Sequence, residues 1–211
     1  MPGTQKTDTQ KHRTQKPDTQ RHRAVLALGS NLGESEDTLE RAVADLVAGG
    51  VQLVRASGLY RTAPVGGPAG QPDFVNAVIE VTTDLGAYEL LALCNAVEAA
   101  HHRERLVRWG PRTLDIDVID YDGAISEDPV LTLPHPRAQE RAFVLVPWAQ
   151  MDPQARLTVT RRAEPSGERA DEVPTPLSRK VVSVAELSRT LVEADEDAIS
   201  YMREMKVPDQ P

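Results

Sequence analysis

Arg108-Trp109-Gly110-Pro111-Arg112-Thr113-Leu114-Asp115-Ile116-Asp117-Val118-Ile119 is the stretch on which the reading of this chain turns. Gly110-Pro111 signals a turn, and the run after it alternates as a strand does. Strand side chains repeat with period two. Leu114, Ile116 and Val118 therefore fall on one face, and Asp115 and Asp117 on the other. Two carboxylates side by side repel, so a fold that keeps them needs arginines or divalent cations beside them. Magnesium takes one or two carboxylates plus substrate phosphates. Arg103, Arg105, Arg108 and Arg112 lie just upstream, with guanidinium forks suited to phosphate oxygens. Acid for metal and guanidinium for phosphate in one short segment read as a nucleotide-phosphate site. An isolated Asp-x-Asp is more simply a solvated strand edge, but the tryptophan, turn and arginines attached to this one weigh against that.

Upstream, Ala24-Val25-Leu26-Ala27-Leu28-Gly29 reads as a buried strand that runs into Gly29-Ser30-Asn31-Leu32-Gly33. This turn lacks the lysine of a P-loop and the glycine spacing of a dinucleotide fingerprint, so a plain strand-to-helix turn is expected. Leu32, Leu39, Val43, Leu46 and Val47 recur at helical spacing, and Gly49-Gly50 stops the helix. Val51 to Tyr60 and Phe74 to Thr82 are the second and third strands. The segment between Thr62 and Pro72 is crowded with glycine and proline, as binding loops and lids often are. A second amphipathic helix runs from Gly86 to about His102, with Leu90, Leu91, Leu93, Cys94 and Val97 toward the core. The fourth strand is Leu114 to Tyr121. Pro134-His135-Pro136 then forms a rigid kink ahead of an apolar run from Phe143 to Trp148. Strand, helix, strand, strand, helix, strand is the order of an α+β, ferredoxin-like βαββαβ core. Its helices are expected on one face of an antiparallel sheet, with extra C-terminal elements after it. That fold hosts many functions and selects none.

The formal charge of −8 is unevenly spread. Residues 4–23 form a tandem repeat without apolar side chains, and residues 1–23 hold six Lys/Arg and two Asp, so they carry +4 and the remainder −12. The repeat is expected to be a disordered basic tail. The acidic body argues against nucleic-acid binding, which needs a basic surface. No apolar run is long enough to span a membrane. A single cysteine, Cys94, suits a reducing compartment, so a cytoplasmic protein is expected; a monomer is expected as well. Residues 24–158 are the expected catalytic domain, and 159–211 a charged, proline-rich linker followed by a helical extension.

Five motifs in order give the chain a close resemblance to the 6-hydroxymethyl-7,8-dihydropterin pyrophosphokinases. They are Gly29-Ser30-Asn31-Leu32, Tyr60-Arg61-Thr62, Gln71-Pro72-Asp73-Phe74-Val75-Asn76, the Arg112 signature and Pro134-His135-Pro136. The likeness spans about Ala24 to Pro153. It implies transfer of the pyrophosphoryl group of ATP to the pterin hydroxymethyl oxygen, with release of AMP, in folate biosynthesis. It further implies two magnesium ions on Asp115 and Asp117, with Asp117 also near the substrate hydroxyl. Arg103, Arg112, His135 and Arg141 match phosphate contacts, and Arg105 and Trp109 belong to a mobile loop that closes on ATP. Asn95, Glu98, Val118 and Thr132 match the nucleoside side of the ATP site. Phe74 and Phe143 match an aromatic pair that sandwiches the pterin, Asn76 the amide on its edge, and Thr62 and Val65 backbone contacts. Asp115 also borders the pterin. Catalysis would then rest on Arg103, Arg105, Arg112 and Asp117. Three positions depart from common family choices: Phe74 for tyrosine, Val130 for arginine and Asn95 for glutamine. Two other functions suit the same fold, a non-catalytic small-molecule-binding module and a magnesium nucleotidyltransferase with another acceptor. The first leaves the carboxylates and arginines idle, and exchanging acceptors in one assay separates the second.

Overall fold

The computed structural model describes residues 21–65, 68, 70–101, 112–162, 177–195 and 199–208. Strand β1 (His22–Ser30) leads to helix α1 (Ser35–Ala48), then to strands β2 (Val51–Ala56), β3 (Gly58–Thr62) and β4 (Phe74–Thr83). Helix α2 (Ala87–Ala100) and strand β5 (Asp115–Tyr121) follow. β1 lies between β4 and β5, antiparallel to both, and β2 and β3 pair with successive parts of β4. The single strand expected over Val51 to Tyr60 is thus broken at Ser57. The Ser57 hydroxyl accepts the Val78 N–H at 2.9 Å and the Ser57 N–H donates to the Val78 carbonyl at 2.9 Å, so the break leaves no gap in bonding. Helix, edge strand and central strand otherwise follow in the expected α+β order.

Residues of one parity form a core beneath α1 and α2. Leu26, Leu28, Ile116 and Val118 of the sheet meet Leu39, Val43 and Leu46 of α1 and Leu90, Cys94 and Val97 of α2. Burial pushes the Cys94 thiol up to about 12, so it remains a neutral packing group. Leu32, read as the first residue of the α1 stripe, is 39% exposed and precedes the helix.

The opposite face is covered too, which the expectation of helices on one face did not include. After the short strands β6 (Ser126–Glu127) and β7 (Thr132–Leu133), a 3₁₀ turn (Ala138–Glu140) leads into α3 (Ala142–Met151). Val144, Leu145 and Trp148 of α3 pack on Val25, Val78 and Ile119 of the sheet. Covered on both sides, β1 is buried from Ala24 to Ser30 without interruption, which is why it reads as a continuous apolar run.

Two boundaries differ from those read in the sequence. β1 begins at His22, two residues before the expected Ala24. His22 Nδ1 lies 2.6 Å from an Asp122 carboxylate oxygen and its ring stacks on Tyr121 at 5.0 Å. Arg23 makes two bonds to Glu80. Residues typical of the repeat are here held by acidic partners that only the fold brings near. At the other end, β8 (Arg156–Arg162) crosses the expected boundary at 158 and pairs with β9 (Leu177–Ser183). Helix α4 (Val184–Ala194) then packs on α3, and β10 (Ser200–Glu204) adds to the sheet edge beside β3. The segment read as linker and helix therefore holds two strands. Both are polar and partly exposed, so their alternation is faint.

Candidate active site

Asp115 and Asp117 project from β5 on the face that α3 covers farther along. Opposite them in the register stand Gly29 and Ala27 of β1, small residues that leave a hollow. A Cβ on Gly29 would meet Asn76 Oδ1 at 3.1 Å, so glycine keeps the floor of the cleft flat. The cleft has a volume of about 370 Å³. At one end stand Asp115, Asp117, Arg112 and Arg141; at the other are Thr62, Val65, Phe74, Asn76 and Phe143.

The phosphate-like end is built around charge pairs. An Arg112 guanidinium nitrogen bonds Asp115 Oδ2. Arg141 Nη1 donates to Asp117 Oδ2 at 2.9 Å, and the Arg141 guanidinium lies over the Phe143 ring at 5.3 Å. The repulsion expected between neighbouring carboxylates is thus offset by one arginine each. His135 Nδ1 accepts the Arg137 N–H at 3.2 Å, which leaves Nε2 to face Asp117 Oδ2 at 3.8 Å. Burial holds the His135 imidazole below its usual range, more strongly than Asp117 raises it, so it is neutral near pH 7 and presents Nε2–H to the carboxylate.

The Gly29-Ser30-Asn31-Leu32 turn positions this end through Asn31. Asn31 is 3% exposed. Its Oδ1 accepts the Arg112 N–H at 2.7 Å, its own N–H donates to the Arg112 carbonyl at 3.0 Å, and its Nδ2 donates to the Pro72 carbonyl at 3.1 Å. One side chain ties β1 to the arginine signature and to the loop ahead of Phe74. At the apolar end, Asn76 Nδ2 donates to the Thr62 hydroxyl at 2.8 Å, which fixes the amide across the β3–β4 pair.

Not every expected residue gathers here. Asn95 is exposed on α2, and Val118 faces the α1–α2 core. The Thr132 hydroxyl donates to the Asp128 carbonyl. Glu98, expected to face the nucleoside, is 4% exposed and accepts the Ile116 N–H at 2.7 Å, clasping α2 to β5. None of these four lines the cleft. Arg103, Arg105, Arg108 and Trp109 lie outside the described residues. The sequence reading missed Arg137, Glu140 and the end of α4, which also line the cleft. The first two sit just after Pro134-His135-Pro136 and could have been sought there, whereas nothing in the α4 sequence points to the cleft. Among the described residues no three His, Cys, Asp or Glu side chains are grouped to hold a metal. The Asp115–Asp117 pair nevertheless fits a hard cation that completes its shell with phosphate oxygens and water.

A cleft that joins aromatic faces to an arginine–carboxylate cluster suits an enzyme acting on a flat heterocycle and a polyphosphate, and similarity to known proteins narrows that class. The model of the 7,8-dihydro-6-hydroxymethylpterin-pyrophosphokinase (HPPK) family matches residues 25–153. The 2-amino-4-hydroxy-6-hydroxymethyldihydropteridine pyrophosphokinase of Methylorubrum extorquens is 47% identical over 132 residues, 62% of this chain and 83% of that one. Its namesake in Bacillus subtilis is 41% identical over 138 residues, 65% and 82% of the two chains. Among solved structures, Plasmodium falciparum HPPK-DHPS with pteroate superposes with a TM-score of 0.56 at 13% identity, over 89% of this chain and 49% of that one. The chain belongs to the HPPK family and is a pyrophosphokinase of folate biosynthesis.

Proposed function

We propose that the cleft holds the dihydropterin at its Phe74–Phe143 end and the ATP polyphosphate at its Asp115–Asp117 end. The reaction so assembled joins the pterin hydroxymethyl oxygen to the β-phosphorus of ATP while the bond from that phosphorus to the α,β-bridging oxygen breaks. AMP leaves, and the hydroxyl proton is lost. The observation that carries this reading is the continuity of one cleft from the two phenylalanines to the two aspartates. Phe74 and Phe143 supply flat faces for a heterocycle, and the Asn76 amide, oriented by Thr62, meets its hydrogen-bonding edge. Thr62 and Val65 border the same ring.

Arg112, Arg141 and His135 surround the place where phosphate charge concentrates, and their work is orientation and charge balance. Asp117 lies where a carboxylate can receive the hydrogen bond of the attacking hydroxyl. Two magnesium ions held by Asp115 and Asp117 would supply further neutralisation of the polyphosphate. The arginines that now bond these carboxylates are then released to phosphate oxygens, so an exchange of partners accompanies nucleotide binding. Arg103, Arg105 and Trp109 have the residue types of a lid over the triphosphate. Asn95, Glu98, Val118 and Thr132 are assigned to the nucleoside by resemblance only. The single cysteine, Cys94, supports a cytoplasmic setting, and a monomer is part of the same proposal.

Incubation with ATP, magnesium and 6-hydroxymethyl-7,8-dihydropterin should yield AMP and the pyrophosphorylated pterin together. Removing the metal with a chelator should stop both, and magnesium should restore them. AMP formed at the same rate without the pterin would overturn the assignment.

A further inference from the structure

Helix α4 lies beyond the part of the chain matched by the family model, which ends at residue 153. Its last turn nevertheless borders the cleft: Leu191, Ala194 and Asp195 line it together with Phe74 and Phe143. We propose that this turn is the outer wall of the pterin subsite and takes part in selecting which pterins enter. Leu191 and Ala194 form apolar surface beside the ring, and the Asp195 carboxylate is an acceptor at the rim for ring N–H or amino donors. The inference rests on the pterin assignment above.

A wall selects only if it is held in place, and α4 is held at both ends. At its start, the Ser183 hydroxyl accepts the Glu186 N–H at 3.3 Å, and the Val184 N–H donates to the Ala155 carbonyl at 3.1 Å. Val184 is fully buried, and Leu187 and Leu191 pack on the α3 core. Leu191 thus belongs to the core and to the cleft at once. Beyond the helix, β10 pairs with β3, the strand that delivers Thr62 to the cleft. Gly58 is required for this contact, since a Cβ there would meet Tyr201 Cε2 at 2.5 Å. The Tyr201 ring meets Tyr60 edge-on at 5.4 Å. Arg203 then bonds Glu36 and Glu40 of α1, each at 2.7 Å. The attachments to α3 and β3 tie the extension to elements that also line the cleft.

Helix stability does not explain Asp195. A carboxylate at a helix C-terminus faces the negative end of the dipole and gains nothing there. At the mouth of a cleft, by contrast, it favours ligands that offer donors and opposes ligands that carry a second anionic group.

The test uses the full-length chain, with 6-hydroxymethyl-7,8-dihydropterin and a non-hydrolysable ATP analogue titrated separately and thermal melts as the folding control. Ala194→Trp should weaken pterin binding at least about tenfold by filling the subsite, and Asp195→Asn about three- to tenfold through a lost charge-assisted bond. Analogue affinity should stay within about twofold in both. Ala194 and Asp195 are exposed, so neither variant disturbs the core. Phe74→Ala is the reference and should weaken pterin binding about tenfold or more, the loss of one stacking partner. Parent-like pterin binding by both α4 variants, with a clear loss in Phe74→Ala, would overturn the wall and leave the pterin site standing. Parent-like binding by all three would remove the pterin assignment and the wall with it. Equal losses of pterin and analogue in the α4 variants would also overturn the wall, since they would show a general disturbance.

Discussion

One face of the sheet carries an arginine–carboxylate cluster at each end, and the two ends behave differently. Away from the cleft, Glu80 of β4 accepts from Arg23 at 2.7 and 3.1 Å and from Arg55 at 2.7 Å, and Arg55 also reaches Asp152 at 3.1 Å. The Glu80 side chain is 6% exposed, and its acceptors are filled by groups of the protein. At the cleft, Asp117 takes one bond from Arg141 and keeps 34% of its side chain exposed. The residue types are the same; what differs is whether the carboxylate can accept another partner. A closed cluster joins strands, and an open one can exchange an arginine for a ligand. Val25, Val78, Ile119 and Trp148 lie between them as an apolar divider.

The largest effect should come from the open end. Asp117→Asn should lower turnover by at least about a hundredfold if Asp117 is, as proposed, both a magnesium ligand and the acceptor for the substrate hydroxyl. Stability without metal should change by no more than about 1 kcal/mol, as for a partly exposed pair. AMP release beside urea unfolding measures both. A variant that unfolds early yet turns over normally would make Asp117 a structural residue like Glu80.

Glu80→Ala should show the reverse pattern. It should cost about 2–3 kcal/mol of stability, less than a wholly buried pair because both guanidiniums keep contact with water. Turnover per folded molecule should match the parent. If turnover fell in step with stability, the two ends of the face would be energetically coupled and the contrast would fail.

Asp120 is an intermediate case and should give the smallest effect. It is 5% exposed and accepts the Gly123 N–H at 3.2 Å. Burial raises its carboxyl above the ordinary 3.8, against the lowering effects of that bond and of the Arg23 charge. A raised folded value means that the folded state holds the proton more tightly. Its contribution to stability is then fully present below pH 3.8 and is lost as pH rises through the folded value. Asp120→Asn retains an acceptor for Gly123 without that loss. It should therefore melt higher than the parent at neutral pH, with the gap narrowing on acidification. A gap independent of pH would assign the change to packing.

Much of this was legible beforehand where local pattern and burial agree. The alternation from Leu114 to Val118 placed three apolar side chains in the core and two carboxylates opposite, and the apolar run of β1 announced a buried strand, though not the second layer that α3 lays over it. The Asp115–Asp117 pair was readable for the same reason, as a short motif on one strand, whereas Phe74 on β4 and Phe143 on α3 were paired by resemblance alone. Long-range pairing was harder to see. His22 and Arg23 look like the last residues of a polar repeat until Asp122 and Glu80 come beside them. Leu191 and Asp195 sit on a helix of modest apolar content, and only its packing on α3 brings its end to the cleft. Nothing in the local pattern showed that the Glu98 carboxylate accepts the Ile116 N–H, a bond that joins α2 to β5.

The pairing of β10 with β3 also bears on how the chain is made. Residues 58–62 leave the ribosome well before Ser200 does, and at about 5–20 residues per second the delay is on the order of ten seconds. Throughout that time the outer side of β3 carries unpaired N–H and C=O groups that any extended segment could match. The nascent protein therefore exposes the edge of β3, which in the finished one lies behind the short, polar edge strand β10, and synthesis halted before Ser200 would release a molecule whose β3 edge is open to association with others like it.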